Sequence, residues 1–198
     1  IAGPEDKWSA DAQADADALW GTSEQSMTAF LETYETFDHE KVEPIYIRPA
    51  IIAVQKGNPK NIRSFDDLLA KGIKIVVTEG KGTYNTSGTG VWEDLAGRKG
   101  SLNDIARFRD NIVAYSLGSG ASFKAFKDEK ADAWITWPNW PLNNSKDMDM
   151  VSIDKDRAIW RDLNIVVSPK ADPQTKDFLN FLITKKGQKI MKTEGWQR

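Results

Sequence analysis

Three loops rich in glycine, serine and threonine each follow a short apolar run and precede a helical pattern in this chain. A strand that leads into a helix through such residues leaves the first N–H groups of the helix beside hydroxyl donors, with the positive end of the helix dipole behind them. Several such helix ends directed at one point would bind an anion. The loops are Gly21-Thr22-Ser23, Asn85-Thr86-Ser87-Gly88-Thr89-Gly90 and Gly118-Ser119-Gly120-Ala121-Ser122.

The order of the elements indicates the fold class. Short apolar runs typical of strands alternate with segments whose apolar residues recur at helical spacing, such as Phe123 and Phe126. This alternation predicts an α/β protein with largely parallel strand pairing. Pro49 cannot donate a hydrogen bond to a neighbouring strand, so we expect a bend or an edge position there. The strand-like runs are residues 16–20, 45–54, 73–78, 111–116, 133–137 and 163–167.

Composition excludes several classes of function. The 198 residues carry 27 basic and 29 acidic side chains, for a net charge of -2, so no overall positive field attracts nucleic acid. Cysteine is absent and there is a single histidine, which excludes thiol catalysis and leaves no catalytic triad or zinc site. No apolar stretch approaches the roughly 20 residues that a membrane span needs. We therefore expect no metal and no cofactor.

The second loop is the strongest candidate for ligand contact, because it is longer than a helix cap requires and alternates glycines with donors. Its glycine spacing fits neither a Walker A loop nor a dinucleotide fingerprint. Arg48 and Arg161 each lie beside an apolar strand, where a guanidinium meets either an anionic ligand or a structural carboxylate; both interpretations stay open. Trp137 ends a strand and could wall a cleft or stack on a sugar.

Four stretches carry a resemblance to a known family. In order and spacing, from Ile1 to Arg198, the chain resembles the accessory colonization factor AcfC family, which is similar to the molybdate- and sulfate-type periplasmic solute-binding proteins. The resemblance implies a two-lobed type II periplasmic-binding-protein fold with a central cleft. It also implies a small oxyanion, or a carboxylate- or phosphate-bearing acid, as the ligand. The stretches are residues 17–25, residues 76–80 with 85–94, residues 131–137 and residues 194–196.

The resemblance also implies where the ligand contacts come from. Ser23 and Glu24 would belong to one lobe, and the residues from Thr86 to Thr89, with Ser119 and Gly120, would belong to the other. Together with the candidates noted above, the predicted ligand-binding residues are Ser23, Glu24, Arg48, Asn85, Thr86, Ser87, Gly88, Thr89, Ser119, Gly120, Trp137 and Arg161.

We expect lobe one to comprise residues 1–57 and 165–198, and lobe two to comprise residues 58–164. Closure of the lobes on a bound anion would be a hinge motion. In the family, a first strand, a ligand loop rich in glycine and proline, and a helix precede the point where this chain begins, so we expect lobe one to lack its first strand–helix unit. Either an N-terminal segment was left out, or a neighbouring chain in a homodimer supplies the missing strand.

The expected function is that of a binding protein rather than an enzyme, namely periplasmic capture of a small anion, for uptake through a membrane transporter or for host colonisation. The periplasmic location rests on the resemblance, because the chain as given carries no signal peptide. The alternative is a glycan- or host-surface-binding protein that uses the tryptophan-rich region near Trp137 and Trp140. A weaker third option is the effector-sensing domain of a regulator, but the sequence offers no DNA-binding segment.

Overall fold

A computed structural model describes residues 16–34, 36–80 and 86–198 of the protein. The chain folds into two compact units. Unit 1 consists of the described residues within Ile1–Arg48, Gly82–Ser87 and Arg161–Arg198, and unit 2 of those within Pro49–Lys81 and Gly88–Trp160. The chain therefore passes between the units after Arg48, before and after the segment that contains Thr86 and Ser87, and again before Arg161. The lobe boundaries expected after residues 57 and 164 stay a prediction.

Eight strands and seven α-helices are found in the described residues. The strands are β1 (Ala18–Gly21), β2 (Glu43–Pro49), β3 (Ile51–Gln55), β4 (Ile75–Glu79), β5 (Ile112–Leu117), β6 (Ala133–Thr136), β7 (Met148–Ser152) and β8 (Trp160–Val167). The helices are α1 (Glu24–Thr33), α2 (Val91–Gly97), α3 (Leu102–Asp110), α4 (Ser119–Asp128), α5 (Asn139–Asn143), α6 (Pro173–Ile183) and α7 (Lys185–Thr193), with short 3-10 helices at His39–Lys41 and Asp66–Leu69. None of the helices in these ranges has the length and apolar composition that a membrane crossing requires.

Unit 1 is built on a three-stranded sheet in the order β1-β8-β2. β1 and β8 are antiparallel, with Leu19 opposite Val166. These two side chains pack with Met27 of α1 on one face of the sheet. The neighbouring Trp20 packs instead against the cluster of Leu163, to which α6 and α7 contribute. Because successive side chains of a strand point to opposite faces, the short strand β1 contributes to both cores.

Helix boundaries in unit 1 follow local chemistry. Ser23 caps α1, because its Oγ accepts a hydrogen bond from a backbone N–H of the first turn at 3.2 Å. Thr184 caps α7, so Gly187 lies inside this helix rather than between two helices. A Cβ at Gly187 would lie 2.3 Å from the Leu182 carbonyl oxygen, so only glycine allows α7 to pack this closely on the end of α6.

Unit 2 is built on a five-stranded sheet in the order β5-β4-β6-β3-β7, with both faces covered. On β4, Ile75 packs in a cluster with Trp92 of α2 and Phe108 of α3. The next residue, Val76, packs in the cluster on the other face with Phe126 of α4. Strands that are buried on both faces read as continuous apolar runs. This is the pattern on which the α/β prediction depends.

The predicted strand direction is only partly right. β4 runs parallel to β5 and β6, as expected for strands joined through helices. β3, however, is antiparallel to both β6 and β7, and β1 is antiparallel to β8. β3 enters its sheet directly from β2 of the other sheet, after one residue beyond Pro49. No crossover helix precedes β3, so the parallel direction that such a helix imposes does not apply to it. The break at Pro49 was expected from the sequence, but its effect on strand direction was not.

A buried arginine joins three elements of unit 2. The Arg157 side chain is 1% exposed and donates hydrogen bonds to the carbonyl oxygens of Leu95 at 3.0 Å and Ala96 at 3.1 Å, at the end of α2. It also donates to the carboxylates of Asp104 in α3 and of Asp66, the latter at 3.2 Å. The planar guanidinium supplies several donors in a fixed geometry, which a lysine could not reproduce.

This network predicts an acid-sensitive contribution to stability. The hydrogen bond from Arg157 holds the pKa of the Asp104 carboxyl below its usual range. In the unfolded chain an aspartate carboxyl has a pKa of about 3.9, so it binds a proton at a higher pH than Asp104 does in the folded protein. The stabilisation from this carboxylate is therefore complete above about pH 3.9 and is lost as the pH falls from there through the pKa of the folded protein. We expect Asp104→Asn to be less stable at neutral pH and to lose less stability on acidification than the wild type.

Urea denaturation at a series of pH values measures both quantities. The exposed Asp110, at the other end of α3, provides the matched control as Asp110→Asn. Equal acid-induced losses in the wild type and Asp104→Asn would contradict the role given to this carboxylate.

Candidate functional site

The predicted ligand residues are divided between the two units. Unit 1 holds Ser23, Glu24, Arg48, Thr86, Ser87 and Arg161, whereas unit 2 holds Gly88, Thr89, Ser119, Gly120 and Trp137. Thr86 and Ser87, which the resemblance assigned to the other lobe, are thus found in the same unit as Arg48. Asn85 lies outside the described residues.

In unit 1, the structure brings together two of the predicted residues at the end of β2. The Arg48 Nη2 lies 3.4 Å from the Ser87 Oγ and donates to it. Both side chains are buried, with exposed fractions of 6% and 7%. The guanidinium carbon also lies 4.2 Å from the centre of the Trp196 ring, within the range of a cation–π contact. Because the Ser87 oxygen accepts from Arg48, its own proton is directed to another acceptor.

Burial perturbs the Arg48 cation. It lowers the pKa of the guanidinium to about 9, because the charged form is poorly solvated there. This value is still well above neutral pH, so the side chain stays positively charged. A buried cation is costly unless an anion or a set of hydrogen-bond acceptors compensates it. Arg48 is therefore the strongest electrostatic feature of the predicted set.

The first predicted loop is shaped by a close backbone approach. A Cβ at Gly21 would lie 2.2 Å from Oδ1 of the fully buried Asn164, so only glycine fits between β1 and this side chain. The loop then delivers Ser23, which is 1% exposed and whose Oγ lies 3.0 Å from the Ser26 Oγ. Glu24 begins α1 and is exposed. Ser23 thus has a structural role as a helix cap, and its role in binding stays a prediction.

The second loop precedes a helix, as its sequence indicated. That helix, α2, begins at Val91, and the residues from Ser87 to Gly90 form turns. Gly90 precedes the helix with a φ of 70°, a left-handed conformation that favours glycine. No side chain caps α2. The hydroxyls in this loop are therefore not used as caps of that helix.

The third loop forms a helix start with bare donors in unit 2. α4 begins at Ser119 as predicted, after Gly118 with a φ of 79°. The Ser122 N–H bonds to the Gly118 carbonyl oxygen at 3.1 Å. The N–H groups of Ser119, Gly120 and Ala121 precede that first intrahelical bond, and none of them donates a hydrogen bond to a described residue. Such a helix end suits an anion.

A buried chain of hydroxyls holds this helix start in place. The Trp134 Nε1 donates to the Thr78 Oγ1 at 3.2 Å, and this oxygen lies 2.8 Å from the Ser122 Oγ. The Ser122 hydroxyl donates to the Gly118 carbonyl oxygen at 3.0 Å, which uses its only proton. Thr78 must therefore donate to Ser122, and every hydrogen bond of the chain runs from the indole towards Gly118.

Thr78 also shapes the second loop, through packing. A Cβ at Gly88 would lie 3.3 Å from the Thr78 Cβ, so the Gly88 backbone rests directly on this side chain. The sequence contains a signal for Thr78 that was missed, because it is a polar residue that follows three consecutive apolar residues of β4 in the buried sheet. Trp196 beside Arg48 had no comparable local signal, because its contact joins the C-terminal turn to the distant strand β2.

Trp137, Trp140 and Arg161 have different surroundings. Trp137 is only 2% exposed and belongs to the same core cluster as Phe65, which leaves little of its surface for stacking on a sugar. Trp140 is half-buried and packs against Phe123, with ring centres 5.4 Å apart. The structure therefore does not support an exposed tryptophan surface. Arg161 is half-buried at the start of the unit 1 part of β8.

Within the described ranges, no group of three or more histidine, cysteine, aspartate or glutamate side chains is placed to hold a metal ion. The donors of the predicted set are a guanidinium, hydroxyls and backbone N–H groups. These groups bind anionic oxygens, with Arg48 providing charge in unit 1 and neutral dipoles providing hydrogen bonds in unit 2.

The hydroxyl chain predicts coupled stability effects. Thr78→Val keeps the side-chain shape but removes the link, and we expect it to cost about 1–3 kcal/mol because buried partners lose hydrogen bonds. Ser122→Ala breaks the same chain, so the double variant should cost less than the sum of the two single variants by at least about 0.5 kcal/mol. Chemical denaturation of the four proteins measures this coupling.

A matched pair tests whether the coupling is specific. Ser101 caps α3, where its Oγ accepts from the Asp104 N–H at 3.1 Å, and it belongs to a different part of unit 2. Thr78→Val combined with Ser101→Ala should be additive. Additive costs for Thr78→Val and Ser122→Ala would refute the proposed chain.

Comparison with known proteins places these features in a family. The family model of the bacterial extracellular solute-binding proteins matches residues 2–197. A crystal structure described as PEB3 with bound L-phospholactate is 43% identical, with a TM-score of 0.88 over 95% of this chain and 82% of that one. PEB3 from Campylobacter jejuni, in another structure, is 42% identical over the same shares of the two chains, with a TM-score of 0.86.

More distant relatives share the fold. The sulfate-binding protein SubI from Mycobacterium tuberculosis has a TM-score of 0.69 at 18% identity, over 94% of this chain and 72% of that one. A sulfate-binding protein of Escherichia coli is 26% identical over 156 residues, which is 73% of this chain but only 44% of that relative's length. The resemblance to sulfate- and molybdate-type binding proteins and the α/β type II fold class are thereby confirmed. The chain belongs to the family of bacterial extracellular solute-binding proteins, which are binding proteins and not enzymes.

Proposed function

We propose that this protein captures a small anion outside the cytoplasm and delivers it to a membrane transporter. The observation that carries the proposal is the buried Arg48 cation, which lies against the Ser87 hydroxyl and the Trp196 ring. A cation in this position provides charge, the hydroxyl provides a directed proton, and the indole excludes water from one side. An ionised oxyanion is the ligand that uses all three.

The donors of unit 2 support the same ligand class by themselves. The three bare N–H groups at the start of α4 and the Ser119 hydroxyl offer hydrogen bonds without a full charge. Neutral donors hold an anion by hydrogen bonds without adding a full charge, so the anion can still dissociate, as transport requires. We propose that the donor set of each unit takes part in anion capture, and variants in each unit test this separately.

The relatives narrow the class of anion. The protein described with bound L-phospholactate is 43% identical to this chain, whereas the sulfate-binding relative from Escherichia coli is 26% identical. We therefore place phosphate-bearing carboxylic acids ahead of inorganic sulfate and molybdate as ligands. Uptake is the role we propose, and a role in host colonisation would be a consequence of the same capture step.

The proposal predicts thermal stabilisation by a small anion. A ligand at about 100 times its dissociation constant should raise the free energy of unfolding by roughly 2.7 kcal/mol, because it binds only the folded chain. A thermal-shift screen should include phosphorylated three-carbon acids, citrate, phosphate, sulfate and molybdate, with mono- and disaccharides in parallel. Stabilisation by sugars alone would favour glycan binding, and no shift from any anion would refute the proposal.

Calorimetric titration of variants with the best anion of this screen locates the site. Ser87→Ala should weaken binding by about 0.5–3 kcal/mol, because a hydroxyl that serves a charged acceptor is lost. Ser101→Ala is the matched control, since it removes a serine cap of unit 2 and should lower stability by about 1 kcal/mol without changing affinity. For Arg161→Gln, lost affinity with normal folding indicates ligand contact, and lost stability alone indicates a structural ion pair.

A further inference from the structure

A second concave surface lies at the opposite end of β4 from the donors of unit 2. It has a volume of about 690 Å³ and is formed by the turn before β4, the last turn of α3 and the first residues of β5. Thr78 is the fourth of the five residues of β4, whereas this pocket begins before Ile75, so about 10 Å of strand separates the two. The pocket is therefore distinct from any site built on the start of α4.

The wall of the pocket is rigid. The buried Asn111 donates from its amide nitrogen to the carbonyl oxygens of Leu68 at 2.8 Å and Ala70 at 2.7 Å. Its amide oxygen accepts from the Gly72 N–H at 3.3 Å. One side chain thus fixes the turn from residue 70 to residue 73 with both of its donor hydrogens and its acceptor. Gly72, with a φ of 88°, provides the left-handed conformation that this turn needs.

The rim of the pocket is positively charged. Lys71, Lys74 and Arg107 line it, against a single acidic side chain, Asp110. The Arg107 Nε donates to the Leu69 carbonyl oxygen at 3.1 Å, which orients the guanidinium, and the Lys74 Nζ lies 3.4 Å from the Glu129 carbonyl oxygen. Neither Lys71 nor Arg107 lies within 4 Å of a carboxylate oxygen of a described residue, although the charge of Arg107 helps to lower the pKa of Asp104, whose ion pair is with Arg157. Lys71 and Arg107 therefore place positive charge at the pocket, although the net charge of the chain is negative.

The floor of the pocket is apolar. Leu69, Ile73 and Val113 contribute aliphatic surface to it. Val113 is 43% exposed on β5, which is an edge strand of the sheet, so its side chain is available to a ligand. An apolar floor with a few placed polar groups, in a volume of several hundred cubic ångströms, is the usual form of a small-molecule site.

We propose that this pocket binds a small organic anion with an apolar body, such as an aromatic or short aliphatic carboxylate. The apolar body would cover Val113 and Ile73, and the carboxylate would be held by Lys71 and Arg107. This class differs from the compact oxyanions proposed for capture, which have no apolar surface to bury. The inference does not depend on the proposed function, because none of its residues belongs to the predicted ligand set.

The fluorescent probe anilinonaphthalene sulfonate combines an aromatic body with one negative charge and tests this chemistry directly. The folded wild type should bind it saturably, and hexanoate should displace it. Lys71→Glu should raise the dissociation constant at least about threefold, because an attraction becomes a repulsion. Val113→Asp should weaken binding at least as much, since it places a charge on the apolar floor. Both positions are exposed, so both variants should fold.

Two controls make the outcome decisive. Lys60→Glu changes an exposed lysine of the same unit away from the pocket and should leave probe affinity unchanged. Excess sulfate and the variant Ser87→Ala should also leave it unchanged, because they act on the capture site. The inference is overturned if the wild type shows no saturable binding, or if Lys71→Glu and Val113→Asp bind the probe as tightly as Lys60→Glu does.

Discussion

The burial of one positive charge is the constraint on which the proposed function depends. Arg48 is 6% exposed, at the last residue of unit 1 before the chain enters unit 2. Burial disfavours the charged form of a guanidinium but leaves it protonated at neutral pH. Under the proposed function, the anion compensates the energetic cost of this buried cation. Ser87 and the C-terminal Trp196 are the described contacts of the guanidinium on which that proposal is based.

Unit 2 provides its donors by a different physical route. Its sheet is covered on both faces, so a polar side chain inside it must find all its partners there. Thr78 does so by accepting from Trp134 and donating to Ser122, and this chain ends on the carbonyl oxygen of Gly118. The hydrogen bonds that satisfy the core therefore also fix the start of α4. The same contacts therefore satisfy the buried polar groups and position the donors at the start of α4.

The sequence predicted those features that depend on neighbouring residues. Alternating strands and helices, with a helix after the first loop and after the third, follow from local chemistry, and the structure confirms them. The antiparallel direction of β3 was missed, because a direct connection to a strand of the other sheet leaves no local periodicity. Long-range contacts, such as Trp196 with Arg48, could not be predicted for the same reason.

The most direct measurement is a high-resolution crystal structure of the protein with the anion that stabilises it most. The account predicts that an oxygen of this anion lies about 2.7–3.2 Å from the Arg48 guanidinium or the Ser87 hydroxyl. A well-ordered anion that is bound elsewhere and contacts neither of these groups would contradict the central role given to Arg48.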